Sequence, residues 1–297
     1  MDSPFHYVFE DISKQNFIAE FFNKNPVLIK GRAGKFDHIF SLKDFNSVLN
    51  NSPLEYPRAR VTNHLNTIHK YDLIDDKDRY ENNINNKLNP SKVMLAIANG
   101  GTLVVDRIHQ YIENLENFID SFSNELNIRM SVNGYYTSAF QDGVNIHFDR
   151  HDVLAIQIHG SKRWFFRKDD HVLSKPMRRQ PVPKFDNQDH EWESVFLEAG
   201  DAFYCPRGIW HFTRTGNQPS AHLAIGLYPL TISDWLDQIR SNPVVANALE
   251  QYVCEPFHKN GASIQSEPVE KLLEIIALSI DKPFSVGLKP RTYIELE

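Results

Sequence analysis

Apolar residues recur at helical spacing through Ile108, Tyr111, Ile112, Leu115, Phe118, Ile119, Phe122 and Leu126, which predicts an amphipathic helix whose greasy stripe packs on a sheet. Downstream the period changes. Short apolar or alternating runs bounded by Gly, Pro and Asn predict strands at 130–140, 144–149, 152–159, 162–167, 194–198, 202–205, 211–215 and 220–228. So many short strands in succession predict a mainly β fold with flanking helices (α+β), closed or sandwich-like. Upstream, the pattern predicts a helix around Gln15–Asn23, a strand Pro26–Lys30 ended by Gly31, and a helix from Ser41, an N-cap with Asp44 three residues on. Residues 51–100 are polar and Asn-rich, especially Tyr80–Asn89, and are expected to form a partly helical insert over a pocket mouth. Lys175–Glu191, rich in Pro and charge, is expected to be a long loop that helps wall a substrate groove. After Pro229 the pattern is helical, with Ser233 capping 234–240, then 243–252 and 268–280. The expected organisation is a lead-in and insert at 1–100, a β domain at 101–230 and a helical region at 231–297.

Two motifs carry chemistry. His147-Phe148-Asp149 places an imidazole and a carboxylate at i and i+2, positions that share one face of a strand, and Pro206-Arg-Gly-Ile-Trp-His211 brings a second imidazole out of a tight turn. Two His and one carboxylate cover one face of an octahedron and leave the opposite positions open, as an iron that must also hold a cosubstrate and dioxygen requires. A closed structural zinc site would want a fourth protein ligand. His151, four residues along from His147, lies too far along the strand to share the ion. Cys205 beside the turn reads as packing.

The runs Gly101–Asp106, Asn133-Gly-Tyr135, His147–Trp164, Pro206–His211 and Ser220–Gly226 resemble the JmjC oxygenases of the cupin type, and within them the ribosomal oxygenase branch of protein hydroxylases. The resemblance spans about residues 15–230. It implies a double-stranded β-helix (cupin/JmjC jelly roll) in which His147, Asp149 and His211 hold Fe(II). It also implies that Lys162 pairs with the distal carboxylate of 2-oxoglutarate, with Arg163 ranked second because alternation turns it to the other face. Asn133 and Tyr135 are expected to hydrogen-bond the cosubstrate and His222 to lie near it. The implied reaction consumes 2-oxoglutarate and dioxygen and hydroxylates a side chain of a protein or peptide, either a ribosomal protein or a modified peptide. Two alternatives share the ligands: a metal-binding cupin of other chemistry, such as an isomerase or hydrolase, which has no use for a cation at 162, and a catalytically silent binding protein. Similar ribosomal oxygenases carry a helical dimerisation region and a winged helix after the barrel. Residues 231–297 are short for both, so a homodimer through the C-terminal helices is expected while the ribosomal substrate stays open.

Composition narrows the partners. Thirty-two Lys and Arg against 38 Asp and Glu give a net charge of -6, which leaves no overall footprint for direct nucleic-acid binding. The two cysteines, Cys205 and Cys254, lack paired spacing, as in a reducing compartment. The N-terminus has no basic start and no stretch approaches a membrane span, so a cytoplasmic protein is expected.

Overall fold

A computed structural model describes residues 3–63, 67–74, 86–171, 181–186, 190–229, 231, 234, 236, 237, 240, 243–250, 270 and 274. The chain divides into two units, Met1–Leu126 with Met130–Tyr228, and Asn127–Arg129 with Pro229–Glu297.

The first unit is built on ten strands. These are β1 Val27–Ile29, β2 Ala59–Thr62, β3 Thr102–Val105, β4 Arg129–Thr137, β5 Asp152–His159, β6 Ser161–His171, β7 Glu193–Glu198, β8 Ala202–Cys205, β9 Ile209–Thr215 and β10 Ser220–Tyr228. One sheet has the order β1-β8-β5-β10-β4-β3-β2 and the other β7-β6-β9. Strands adjacent in space but distant in sequence, such as β5 between β8 and β10, are the returns that a double-wound β fold needs. Between the sheets lies a core of Val153, Ala155, Trp164, Phe166, Leu197, Phe203, Cys205 and Ile209, all buried. The whole of β5 up to Ile158 is buried, so its centre Val153–Ile156 is apolar on both faces and not alternating, with Asp152 and Gln157 as buried polar residues on either side.

Helices close the ends. The helix α1 (Pro4–Phe9) starts at Ser3, whose hydroxyl caps it, and Glu125 accepts hydrogen bonds from Ser3 Oγ at 2.6 Å and Phe5 N at 2.8 Å. Ser41 and Asp44 form the expected capping box at the start of α2 (Leu42–Asn51). The Asn-rich insert yields α3 (Pro90–Ala98), with Asn89 as N-cap and Pro at the first turn. Tyr80–Asn85 lie outside the described residues. The amphipathic helix begins later than expected: Ile108–Tyr111 form a 3-10 turn, and α4 runs Glu113–Leu126 with Leu115, Phe118, Ile119 and Phe122 buried.

In the second unit, Thr231 and Asp234 bond reciprocally, Thr231 N to Asp234 Oδ2 at 2.9 Å and Asp234 N to Thr231 Oγ1 at 3.1 Å, so Thr231 makes the capping contacts expected of Ser233, itself outside the described residues. The helix α5 spans Pro243–Leu249. Most of the expected 268–280 helix, and with it the surface expected to dimerise, lies outside the described residues. Among the described residues no helix is long and apolar enough to cross a membrane.

Phe203 sits at 1% exposure with ring centroids 5.6 Å from Trp164 and 5.3 Å from Phe166. Phe203→Ala should lower the unfolding free energy by about 3–5 kcal/mol, the usual cost of an aromatic-sized hole. A shift of the urea midpoint worth less than about 1 kcal/mol would mean that the two sheets are not held together here.

Candidate metal centre and cosubstrate pocket

The segment 144–149 is not a strand. Its ladder is a single antiparallel bridge in which His147 N donates to His211 O at 3.0 Å and His211 N to His147 O at 2.8 Å. The next tie is from Gly208 N to Asp149 O at 2.8 Å, and before it Gly143 N donates to Thr213 O at 2.7 Å. The expected strand is thus a strap, tied to β9 through Gly143 and His147 and to the turn before β9 through Asp149. Gly143 is required there: a Cβ would meet Thr213 Oγ1 at 2.2 Å.

The bridge sets the two histidines directly opposite each other, with ring centroids 4.3 Å apart. Asp149 Oδ2 lies 3.9 Å from His147 Nε2 and 3.6 Å from His211 Nε2, and one donor atom from each of the three residues lies within 4.8 Å of the others. Each imidazole is oriented by its own chain: His147 Nδ1 is 2.6 Å from Asn145 O and His211 Nδ1 is 3.0 Å from Ile209 O. Those carbonyls take the Nδ1 proton and leave both Nε2 lone pairs facing Asp149. Burial and the neighbouring His147 hold the His211 imidazole down to about 4, so it stays neutral and able to donate. Two imidazole nitrogens, one carboxylate and open space in front fit a six-coordinate divalent metal.

The turn that presents His211 is anchored from below. Asp152 accepts from Tyr204 Oη at 2.7 Å and Arg207 N at 2.9 Å, and Gly208 takes φ 78. His151 stays out of the triad and stacks on Tyr228 with centroids 4.5 Å apart. Cys205 is buried and its thiol is pushed far up by burial, in keeping with packing.

One pocket contains the three donors together with Asn133, Tyr135, Lys162 and His222. Lys162 is 1% exposed on β6, and its Nζ lies 3.1 Å from Thr137 Oγ1 and 3.4 Å from His222 Nδ1. No carboxylate pairs with it among the described residues, and burial pulls its ammonium down to about 7. Arg163 points to the other face, as alternation demands, and lies over the Phe196 ring. His222 stacks on Tyr135 at 4.7 Å and is kept neutral by burial and by Lys162. Asn133 hydrogen-bonds Tyr135, whose hydroxyl is pushed up to about 12 chiefly by burial.

Trp164 also belongs to the pocket, and its position in the sequence signals it. It follows Lys162 by two residues on β6, so alternation alone puts it in the pocket, where it stacks on His211 at 5.6 Å with its indole N–H buried and without a partner among the described residues. Of the loop 175–191, residues 181–186, 190 and 191 are described. Its described part packs on the outer face of the small sheet, with Phe185 5.0 Å from Phe165 and 4.7 Å from Phe212. None of its described residues lines the pocket.

Comparison with known proteins places this geometry. Residues 107–235 match the family model of the JmjC domain. It is 21% identical to the uncharacterized protein YxbC of Bacillus subtilis (strain 168) over 93% of this chain and 87% of that one. It is 26% identical to ribosomal oxygenase 2 of Rattus norvegicus over 76% of this chain and 48% of the relative, so it spans about half of that protein. The fold is that of the Escherichia coli protein ycfD, with a TM-score of 0.58 and 17% identity over 91% of this chain and 68% of the other.

Lys162 lends itself to a direct test. A buried lysine whose ammonium is depressed from 10.5 to about 7 costs stability, in full below pH 7 and less and less as pH rises toward 10.5, where the unfolded chain also loses its proton. Lys162→Met should therefore stabilise the protein without ligands, by more at pH 6 than at pH 9 in denaturant titrations. Equal destabilisation at both pH values would show that Lys162 is held by a contact and not strained by burial.

Proposed function

We propose that this chain is an Fe(II)- and 2-oxoglutarate-dependent oxygenase that hydroxylates a side chain of a protein or peptide. The observation that carries the reading is the buried, carboxylate-free ammonium of Lys162 in the same pocket as the His147, Asp149 and His211 donors. A desolvated cation without an anionic partner is costly to keep unless a ligand brings the anion. A metal-binding cupin of other chemistry has no use for it. Support also comes from a solved structure of YcfD described as in complex with cobalt and 2-oxoglutarate, whose fold this chain shares at a TM-score of 0.57, and from the relatives named as ribosomal oxygenases.

In this reading His147 Nε2, Asp149 and His211 Nε2 hold the iron. Iron so held, with 2-oxoglutarate and dioxygen, supplies the oxidising chemistry: 2-oxoglutarate is decarboxylated to succinate, and one oxygen atom enters a C–H bond of the substrate. The protein aims and shields. Lys162 pairs with the distal carboxylate, Thr137 orients the ammonium, and Asn133 and Tyr135 donate to the cosubstrate from β4. Neutral His222 can accept from Lys162 without adding a charge, and Trp164 closes the wall behind His211 against water. The substrate side chain enters on the side of Ser131, His151 and Tyr228, three polar pocket residues that none of these tasks engages. Two cysteines without paired spacing in the sequence accord with a cytoplasmic setting.

Asp149→Ala removes one of three donors from a site with no spare, so Fe(II) binding measured by calorimetry and succinate formation should both collapse in a folded protein. Retained turnover would remove Asp149 from the site. Lys162→Met should raise the KM for 2-oxoglutarate at least about tenfold with iron still bound. In the unchanged protein, affinity for 2-oxoglutarate needs the ammonium, so it should be flat below pH 7 and fall about tenfold per pH unit above it. A pH-independent affinity would place the counter-charge elsewhere.

A further inference from the structure

The wall of the pocket does not stop at the cosubstrate. Along β4, Thr137, Tyr135, Asn133 and Ser131 alternate onto one face, and the register sets Tyr135 beside Val104 and Val104 beside Arg60. The next row on that face holds Asn133, Asp106 and Arg58, with Asp106 N donating to Arg58 O at 2.8 Å. The inner face of the large sheet thus runs outward to β2, its last strand, and becomes an open groove lined by Pro57, Arg58, Arg60, Asp106, Arg107, Ser131 and Asn133. Ser131 and Asn133 line the metal pocket as well, so a ligand in one reaches the other without a break.

Three guanidinium groups face one carboxylate in this groove, an excess of positive charge on a chain of net charge -6. The groups are not equally free. Arg60 Nη1 bonds Asp106 Oδ2 at 2.5 Å, while Arg58 bonds the Gln110 amide and lies over the Tyr111 ring at 5.0 Å. Arg107 is exposed, and its guanidinium has no partner among the described residues. Its backbone is held in the left-handed region at φ 53 while its N–H donates to Asn133 Oδ1 at 3.1 Å. A non-glycine residue in that conformation is strained, and here the residue enforcing it is the one that also bonds Tyr135 beside the metal. Asp106 Oδ1 is buried with no hydrogen-bond partner among the described residues, so the carboxylate meets the groove through Oδ2 and its bond to Arg60.

We infer that this groove is the substrate subsite beside the metal, and that it takes an extended polypeptide carrying an acidic side chain next to the residue to be oxidised. The inference rests on the oxygenase reading for what happens in the pocket, but not for binding in the groove. Arg107 pairs with the acidic side chain, and the open fork of its guanidinium suits a carboxylate. Asp106 holds Arg60 through Oδ2, which leaves Arg107 to take that side chain. The same Asp106 carboxylate disfavours a phosphodiester backbone, which offers no donor and adds like charge.

Fluorescence anisotropy with two labelled eleven-residue peptide pools tests this, randomised at the centre and flanked by Glu and Asp in one pool and by Gln and Asn in the other. Measurement on the full chain in excess chelator keeps it independent of iron and 2-oxoglutarate, so a failure of the oxygenase reading would leave the result standing. The acidic pool should bind at least about tenfold tighter, with the preference shrinking at high salt. Arg107→Gly, which suits the left-handed backbone and removes the guanidinium with its stem, should cut the preference to less than about threefold. Arg107→Glu should shift it toward a third pool flanked by Lys. Equal binding of the acidic and amide pools, a preference that survives both substitutions, or tighter binding of a single-stranded oligonucleotide than of the acidic pool would overturn the assignment.

Discussion

The two amide–carbonyl hydrogen bonds exchanged between His147 and His211 fix the candidate metal centre, because they bring together donors that lie far apart in the chain. Side chains alone could not do this, since each imidazole would rotate freely about its own chain. With the backbones locked face to face, the rings lie 4.3 Å apart, and Asn145 and Ile209 carbonyls turn their Nε2 atoms the same way. The bond from Gly208 N to Asp149 O then brings the carboxylate in from the same strap. Coordination geometry is thus specified before any metal arrives, which lowers the ordering cost of binding it.

Behind that centre the protein accepts instability in exchange for a receptive pocket. Lys162 is buried beside Thr137 and His222 with no anion next to it among the described residues, and the Trp164 indole N–H has no partner among them either. Both groups lower the stability of the protein without ligands, and both are complementary to a small acid. The large core of Phe203, Phe166, Leu197 and β5 supplies the margin that makes such a pocket tolerable.

Much of this was legible in the sequence, and the departures have physical causes. The inward face of Lys162 and the outward face of Arg163 follow from alternation on β6, the Ser41 capping box follows from residue chemistry, and His147, Asp149 and His211 come together as their motifs suggest. The segment 144–149 departs: its apolar pattern resembles a strand, but backbone ties to β9 and to the turn before it override that local preference. The start of the amphipathic helix was read too early because the apolar stripe begins at Ile108, whereas the left-handed Arg107 turns the chain into a 3-10 turn first. The insert hid α3 because its short stripe of Val93 and Ile97 is weak beside the Asn-rich run before it. The arginine groove was invisible, since Arg58, Arg60 and Arg107 meet only through the register of β2, β3 and β4.

Anaerobic titration of the protein with Fe(II) and 2-oxoglutarate, followed by visible absorption, asks most directly whether the three donors and Lys162 form one site. A weak charge-transfer band that requires both components, and saturates at one equivalent of each, is the expected result. No band with both present, or 2-oxoglutarate binding of equal strength with and without iron, would contradict a shared site.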